Sequence, residues 1–206
     1  MWVHHHTRPL AWLVARVSYH SDCVEHFFTQ IDELNGFGKI MPTSLILCAT
    51  NGNNHQLSIQ VTECLTAKGI EVQRINLENL CWPLFIPQGD IAPVDLPEFE
   101  VVKRALLEHD EWWVFAPEYN GGMPPVLTNF ITWVSRAKND FRLMFNNKTI
   151  ILGTHSGGGG HHCIMSMRMQ FSYVGANVLG RHLVVNKMKP YNEASVEAII
   201  SQVWKV

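Results

Sequence analysis

Three stretches of the chain concentrate side chains able to grip a small polar ligand. "ATNGNNHQLS" at residues 49–58 gathers amides and hydroxyls, and Thr50, Asn51, Asn53 and Gln56 can each donate a hydrogen bond to an oxyanion. Gly52 lets the backbone turn tightly, and His55 can add positive charge. A helix starting here also presents free N–H groups and the positive end of its dipole. That is the chemistry of a phosphate cradle. The same residues equally read as an ordinary helix cap by Asn53 or Asn54, with His55 idle in solvent.

The second stretch, "APEYNGGMPP" at residues 116–125, sets Pro117, Glu118, Tyr119, Asn120 and Gly121 between an apolar run and a double proline. Its glycines permit close backbone approach. Glu118 has a plainer reading as a solvated loop acid or a partner for Arg136. The third, "GTHSGGGGHH" at residues 153–162, holds His155, Ser156, Gly157, Gly158 and Gly159. Consecutive glycines have no packing value, so they either let something flat come close or serve as a hinge. No Lys-Ser or Lys-Thr pair follows them, which excludes a nucleotide P-loop. His155, His161 and His162 lack carboxylate or cysteine company at ligand spacing, so no metal site is expected.

The elements that must position these loops follow from alternating apolar runs and amphipathic stretches. Strands are expected at residues 44–49, 70–75, 111–116, 148–154 and 176–185, and helices at 54–68, 96–109, 124–137, 161–173 and 192–204. The inward residues expected on them are Leu57, Val61 and Leu65, then Val101, Ala105 and Leu106. Val126, Phe130, Trp133 and Ala137 serve the third helix, and Ala194, Val196, Ile199, Ile200 and Val203 the last. The prolines between residues 78 and 97 forbid regular structure there. Strand and helix alternation implies a five-stranded parallel sheet covered on both faces, an α/β three-layer sandwich. The flavodoxin-like order 2-1-3-4-5 is its simplest topology. Ligands of such sheets sit beyond the carboxyl ends of the strands. The loops after the first, third and fourth strands are the three stretches above, with "APEYNGGMPP" in the middle.

Composition narrows the partners. A formal charge of -2 on 206 residues leaves no basic excess of the kind that announces nucleic acid or anionic lipid. No apolar run approaches the roughly 20 residues that span a bilayer. The five cysteines, Cys23, Cys48, Cys64, Cys81 and Cys163, form no CxxC pair, which fits buried reduced thiols in a cytoplasmic protein. Trp112, Trp113 and Trp133 read as core or interface, and Lys187, Lys189 and Tyr191 as solvated. Residues 1–40 are an N-terminal extension to a domain at 41–206. They hold five of the eleven histidines, and Arg8 and Arg16 precede the first acid, Asp22, a bias that faintly resembles a targeting segment. Arg16 interrupts its apolar stretch and no small-residue cleavage site follows. A helix at 21–34 is the alternative content. Translation starting at Met41 is a further expectation, checked by the N-terminal mass of the natural protein.

The residues also carry a family resemblance. "PEYNGGMPPVLTNFITWVSRA" resembles the signature of the NAD(P)H-dependent FMN reductase family, and "GTHSGGGGHHCIMSMRMQFSYVGANVL" is similar to that family's later glycine-rich loop, helix and strand. The likeness runs from Met41 to about Val185. It implies noncovalent FMN, with phosphate in the loop of Thr50, Asn51, Gly52, Asn53, His55 and Gln56. The ring edge would lie against Pro117, Glu118, Tyr119, Asn120 and Gly121, with Gly157, Gly158 and Gly159 beneath and His155 and Ser156 near the polar edge. The helix after Pro124 would point its positive end at the ring. NADPH or NADH would be the reductant, a quinone, azo compound, metal oxyanion or second flavin the acceptor, and a homodimer or homotetramer the assembly. The flavin carries the chemistry, so no catalytic side chain is implied. The family's first loop reads Gly-Ser-x-Arg-x-x-Ser, and here Gly52 stands in the arginine's place.

Overall fold

The computed structural model describes residues 42–89, 91–137 and 140–204. The helix expected at 21–34 and the proposed start at Met41 lie outside the described residues. The elements are β1 (Thr43–Cys48), α1 (Asn53–Ala67), β2 (Glu71–Asn76), α2 (Phe99–Glu108), β3 (Glu111–Phe115), α3 (Pro125–Ser135), β4 (Thr149–His155), α4 (His161–Tyr173), β5 (Asn177–Val178), β6 (Leu183–Val185) and α5 (Glu193–Val203). Among them no helix is long and apolar enough to cross a membrane.

Successive strand side chains point to opposite faces, and both faces here are covered, so the central strands are apolar throughout. Leu45, Leu47, Trp112, Val114, Ile150 and Leu152 meet Val102, Leu106, Phe130, Ile131 and Phe171 of α2, α3 and α4. Ile46, Cys48, Trp113, Phe115 and Ile151 meet Leu57, Val61, Val196 and Ile199 of α1 and α5. The sheet runs β2-β1-β3-β4-β5, every pairing parallel, with β6 also on β4. This is the flavodoxin-like sandwich expected from the sequence.

The fifth strand departs from expectation by dividing in two. Asn177 and Val178 pair with Thr149 and Ile150, and Leu183 to Val185 pair with Gly153 to His155. Between them the Arg168 guanidinium of α4 donates to the carbonyls of Val178, Leu179 and Gly180 at 3.3, 2.9 and 3.2 Å. Those acceptors turn away from the ladder toward a charged donor.

Smaller differences concern helix phase. Val101 is 59% exposed and Val102 takes its place in the stripe with Ala105 and Leu106. Ala194 is exposed on the first turn of α5, whose inward residues are Val196, Ile199 and Ile200. Tyr191 is half-buried rather than solvated. Its hydroxyl donates to the Gln60 carbonyl, and burial pushes the phenol up to about 12. Short 3-10 turns at Glu78–Leu80 and Pro93–Asp95 occupy the proline-rich connection. Cys81 is exposed, whereas Cys48, Cys64 and Cys163 are buried.

Among the described residues one acid sits inside, at the amino end of β3. Glu111 Oε1 accepts from Ser44 Oγ at 3.3 Å and Trp113 Nε1 at 2.8 Å, and burial pushes the carboxyl up to about 8. Its folded value lies above its ordinary one. The stability tied to that proton is therefore complete in acid and is lost as pH rises toward 8.

Candidate functional site

Because β1 and β4 flank β3 in register, their carboxyl ends lie side by side. Asn54 ties the outer two together. It is 2% exposed on the first turn of α1, its Nδ2 donates to the His155 carbonyl at 2.9 Å, and its Oδ1 accepts the His155 N–H at 2.7 Å. Neither Asn53 nor Asn54 caps α1 with its side chain. Gly52 is the N-cap, and the Asn54 amide is spent on β4.

The middle loop closes as a hairpin. Tyr119 and Gly122 exchange N–H···O bonds of 3.0 Å, while Asn120 and Gly121 take φ of 51° and 74°. Two central residues with positive φ make a type I′ turn, for which Asn-Gly is a favoured pair. The N–H groups of Asn120 and Gly121, at its tip, have no acceptor among the described residues. Glu118 turns to the third loop, where its N–H donates to Ser156 Oγ at 3.3 Å and its Oε2 accepts the Cys163 N–H at 3.1 Å. Ser156 Oγ also shares a 2.9 Å bond with Thr154 Oγ1. A carboxylate placed in the first turn of α4 is favoured by the helix dipole. His162 Nδ1 lies 3.9 Å from Glu118 Oε1. Arg136, considered as the partner of Glu118, instead lies 5.7 Å over the Phe85 ring. Below Glu118, burial and then the Glu118 charge push the Cys163 thiol up to about 12, so it stays protonated.

The third loop is anchored at both ends. The Ser156 N–H donates to the Val185 carbonyl at 3.1 Å and Asn186 Nδ2 to the Gly158 carbonyl at 3.2 Å. Gly160 closes it with φ of 69°, and a Cβ there would meet Thr154 Cγ2 at 2.6 Å. Gly157 and Gly158 face open space, and the N–H groups of residues 157–159 have no acceptor among the described residues.

The first loop is finished differently. The Asn51 N–H donates to Glu78 Oε2 at 2.6 Å, Asn51 Nδ2 to Asn79 Oδ1 at 3.0 Å, and Asn76 Nδ2 to Asn51 Oδ1 at 2.6 Å. The N–H groups of Gly52, Asn53 and Asn54 remain without acceptors among the described residues. Thr50 is half-buried, Asn53 and Gln56 exposed. His55 lines a cleft of about 230 Å³ together with Cys48, Ser58, Arg74, Asn76 and Asn79. Arg74, Glu78 and the inward role of Asn54 have no signal in sequence spacing. The first two reach the loop only because β2 pairs with β1.

The NADPH-dependent FMN reductase family model matches residues 42–189. No curated protein sequence matches the chain. Among solved structures, FerB, a flavoenzyme NAD(P)H:(acceptor) oxidoreductase from Paracoccus denitrificans, is 18% identical, with 74% of this chain and 79% of that one covered at a TM-score of 0.55. An oxidoreductase from Corynebacterium diphtheriae is 18% identical, with 80% and 93% covered at a TM-score of 0.56. The Flv1 flavodiiron core from Synechocystis is 15% identical, with 86% of this chain covered at a TM-score of 0.51, and this chain spans 37% of it. At these identities the structural likeness concerns the fold.

Proposed function

This chain belongs to the NADPH-dependent FMN reductase family, and on that premise we propose that it is an FMN-dependent NAD(P)H oxidoreductase whose acceptor is a quinone, an azo compound, a metal oxyanion or a second flavin. The observation that carries this reading is a neighbouring pair of loops with unspent donors. The Glu118 N–H joins them through Ser156 Oγ, the N–H groups of Asn120 and Gly121 on one and of residues 157–159 on the other have no acceptor among the described residues, and Gly157 and Gly158 face open space. A flat heteroaromatic ring with polar edges suits those donors.

When bound, FMN would supply hydride uptake at N5 and delivery to the acceptor. The protein's part is binding and orientation. Asn120 and Gly121 would hold the N5 and O4 edge, with Pro117, Glu118 and Tyr119 behind them. Glu118 keeps the two ring-side loops in register through Ser156 and Cys163. His155 and Ser156 would stand at the polar edge. At the other end Thr50, Asn53, Gln56 and the free N–H groups of residues 52–54 would take the phosphate, with His55 as neighbouring charge. Asn51 fits that role less well, since its N–H and amide already have protein partners. A cytoplasmic homodimer or homotetramer belongs to the same reading. Tyr119, 51% exposed at the loop tip, is a side chain that a second copy would cover.

The near-neutral charge of -2 favours an enzyme over a flavodoxin-type electron carrier, whose docking surface would be strongly acidic. The test is to add FMN to the purified chain, follow fluorescence quenching, and then bleach the flavin anaerobically with NADH or NADPH. Steady nicotinamide consumption with a quinone supports the reading. Flavin binding without turnover points to a carrier, and a chain that ignores FMN to a flavin-free relative.

A further inference from the structure

We propose that Glu78 is the resident anion of the first loop and sets how strongly that loop takes a phosphate. The inference rests on the flavin reading above and goes beyond it, since Glu78 lies outside the loop that the family resemblance marks.

The Asn51 N–H opens the row of donors that continues through residues 52–54, and it points at Glu78 Oε2 at 2.6 Å, the length of a charge-assisted bond. The carboxylate is held for that contact. The Glu78 backbone N–H donates to Asn76 Oδ1 at 3.1 Å, and Asn76 and Asn79 grip the Asn51 side chain from both sides. An oxyanion already sits on the N–H next to the donors a phosphate would use. Gly52 supplies no cation beside it, and the basic side chains lining the adjoining cleft are Arg74 and His55. A phosphate dianion approaching the row must displace Glu78 or stand next to a like charge, either of which weakens binding. A ligand ending in a neutral hydroxyl meets no such repulsion. The wild-type loop should therefore discriminate poorly between FMN and riboflavin, which share the ring and differ in the phosphate.

Glu78→Gln removes the charge and keeps an oxygen for the Asn51 N–H, so the loop keeps its shape. The experiment titrates the full chain, freed of flavin, with FMN and with riboflavin by fluorescence quenching. The expected result is FMN bound about tenfold more tightly by the variant, with riboflavin changed by less than about twofold. Inorganic phosphate should also compete better against FMN in the variant. An unchanged ratio of FMN to riboflavin affinity, or both flavins tightening alike, overturns the role of Glu78 while leaving the flavin site standing. Binding of neither flavin to either protein overturns the flavin reading and this inference with it.

Discussion

The first and third loops lie on either side of β3 and are joined by Asn54, yet they differ in how much of their polar surface the fold consumes. The third is anchored through its flanks, by Ser156, Asn186 and the left-handed Gly160, and leaves the N–H groups of its glycines unspent. The first also leaves the N–H groups of residues 52–54 unspent, but its Asn51 spends its N–H, its amide nitrogen and its amide oxygen on Glu78, Asn79 and Asn76. What a strand-end loop can offer a ligand is set by the donors left over after the fold has satisfied itself. The number of donors written in the sequence is a poor guide to that remainder.

The sharpest way to break this contrast is at the glycines. Gly160→Ala combines left-handed strain with a clash against Thr154, and the expected loss is about 3 kcal/mol in urea unfolding. The first-loop counterpart, Gly52→Ala, meets open space and should stay within about 0.5 kcal/mol of wild type. Equal losses at the two sites would erase the distinction. Next in size is the link between the loops. Asn54→Ala removes both bonds to His155 and leaves part-buried backbone groups unpaired, so a loss of about 2 kcal/mol is expected by thermal melting. It should weaken FMN as well, since each loop then relaxes separately.

A gain is expected from charge. Gly52→Arg places a guanidinium beside the free N–H row, and one charged hydrogen bond corresponds to about tenfold tighter FMN, with riboflavin unchanged. If FMN does not respond, the phosphate lies elsewhere and the first loop loses its assigned role. The smallest effect is expected at Glu118. Glu118→Gln keeps the contact with the Cys163 N–H and loses the charge at the α4 terminus, costing about 0.5 kcal/mol in a melt at low salt. A much larger loss would mean that the second and third loops depend on this charge for their union.

Much of the fold was legible because burial on two faces writes itself as uninterrupted apolar strands. The helices followed from residues such as Leu57, Val61 and Leu65, whose four-residue spacing is visible in the chain. Val101 against Val102 marks the limit of that legibility. Two adjacent valines suit a helix equally, and only packing against the sheet chose between them. The split of the fifth strand was hidden for a similar reason, since it depends on Arg168 reaching across from α4. The glycines at residues 121–122 read in the sequence only as room for close approach, and the Asn120-Gly121 turn with its two unspent N–H groups emerged only with the pairing of Tyr119 and Gly122.

By itself, then, the sequence determined the order of strands and helices, the three loops that gather at one edge, and the family to which they belong. Local propensity and hydrophobic period act over a few residues and need no knowledge of the whole. Tertiary structure alone decided which of those loops' donors stay free. Glu78 and Arg74 arrive beside the first loop through the parallel pairing of β2 with β1, and Asn54 turns inward because His155 waits at the end of β4. Hydrogen bonds between residues far apart in the chain have no period to betray them.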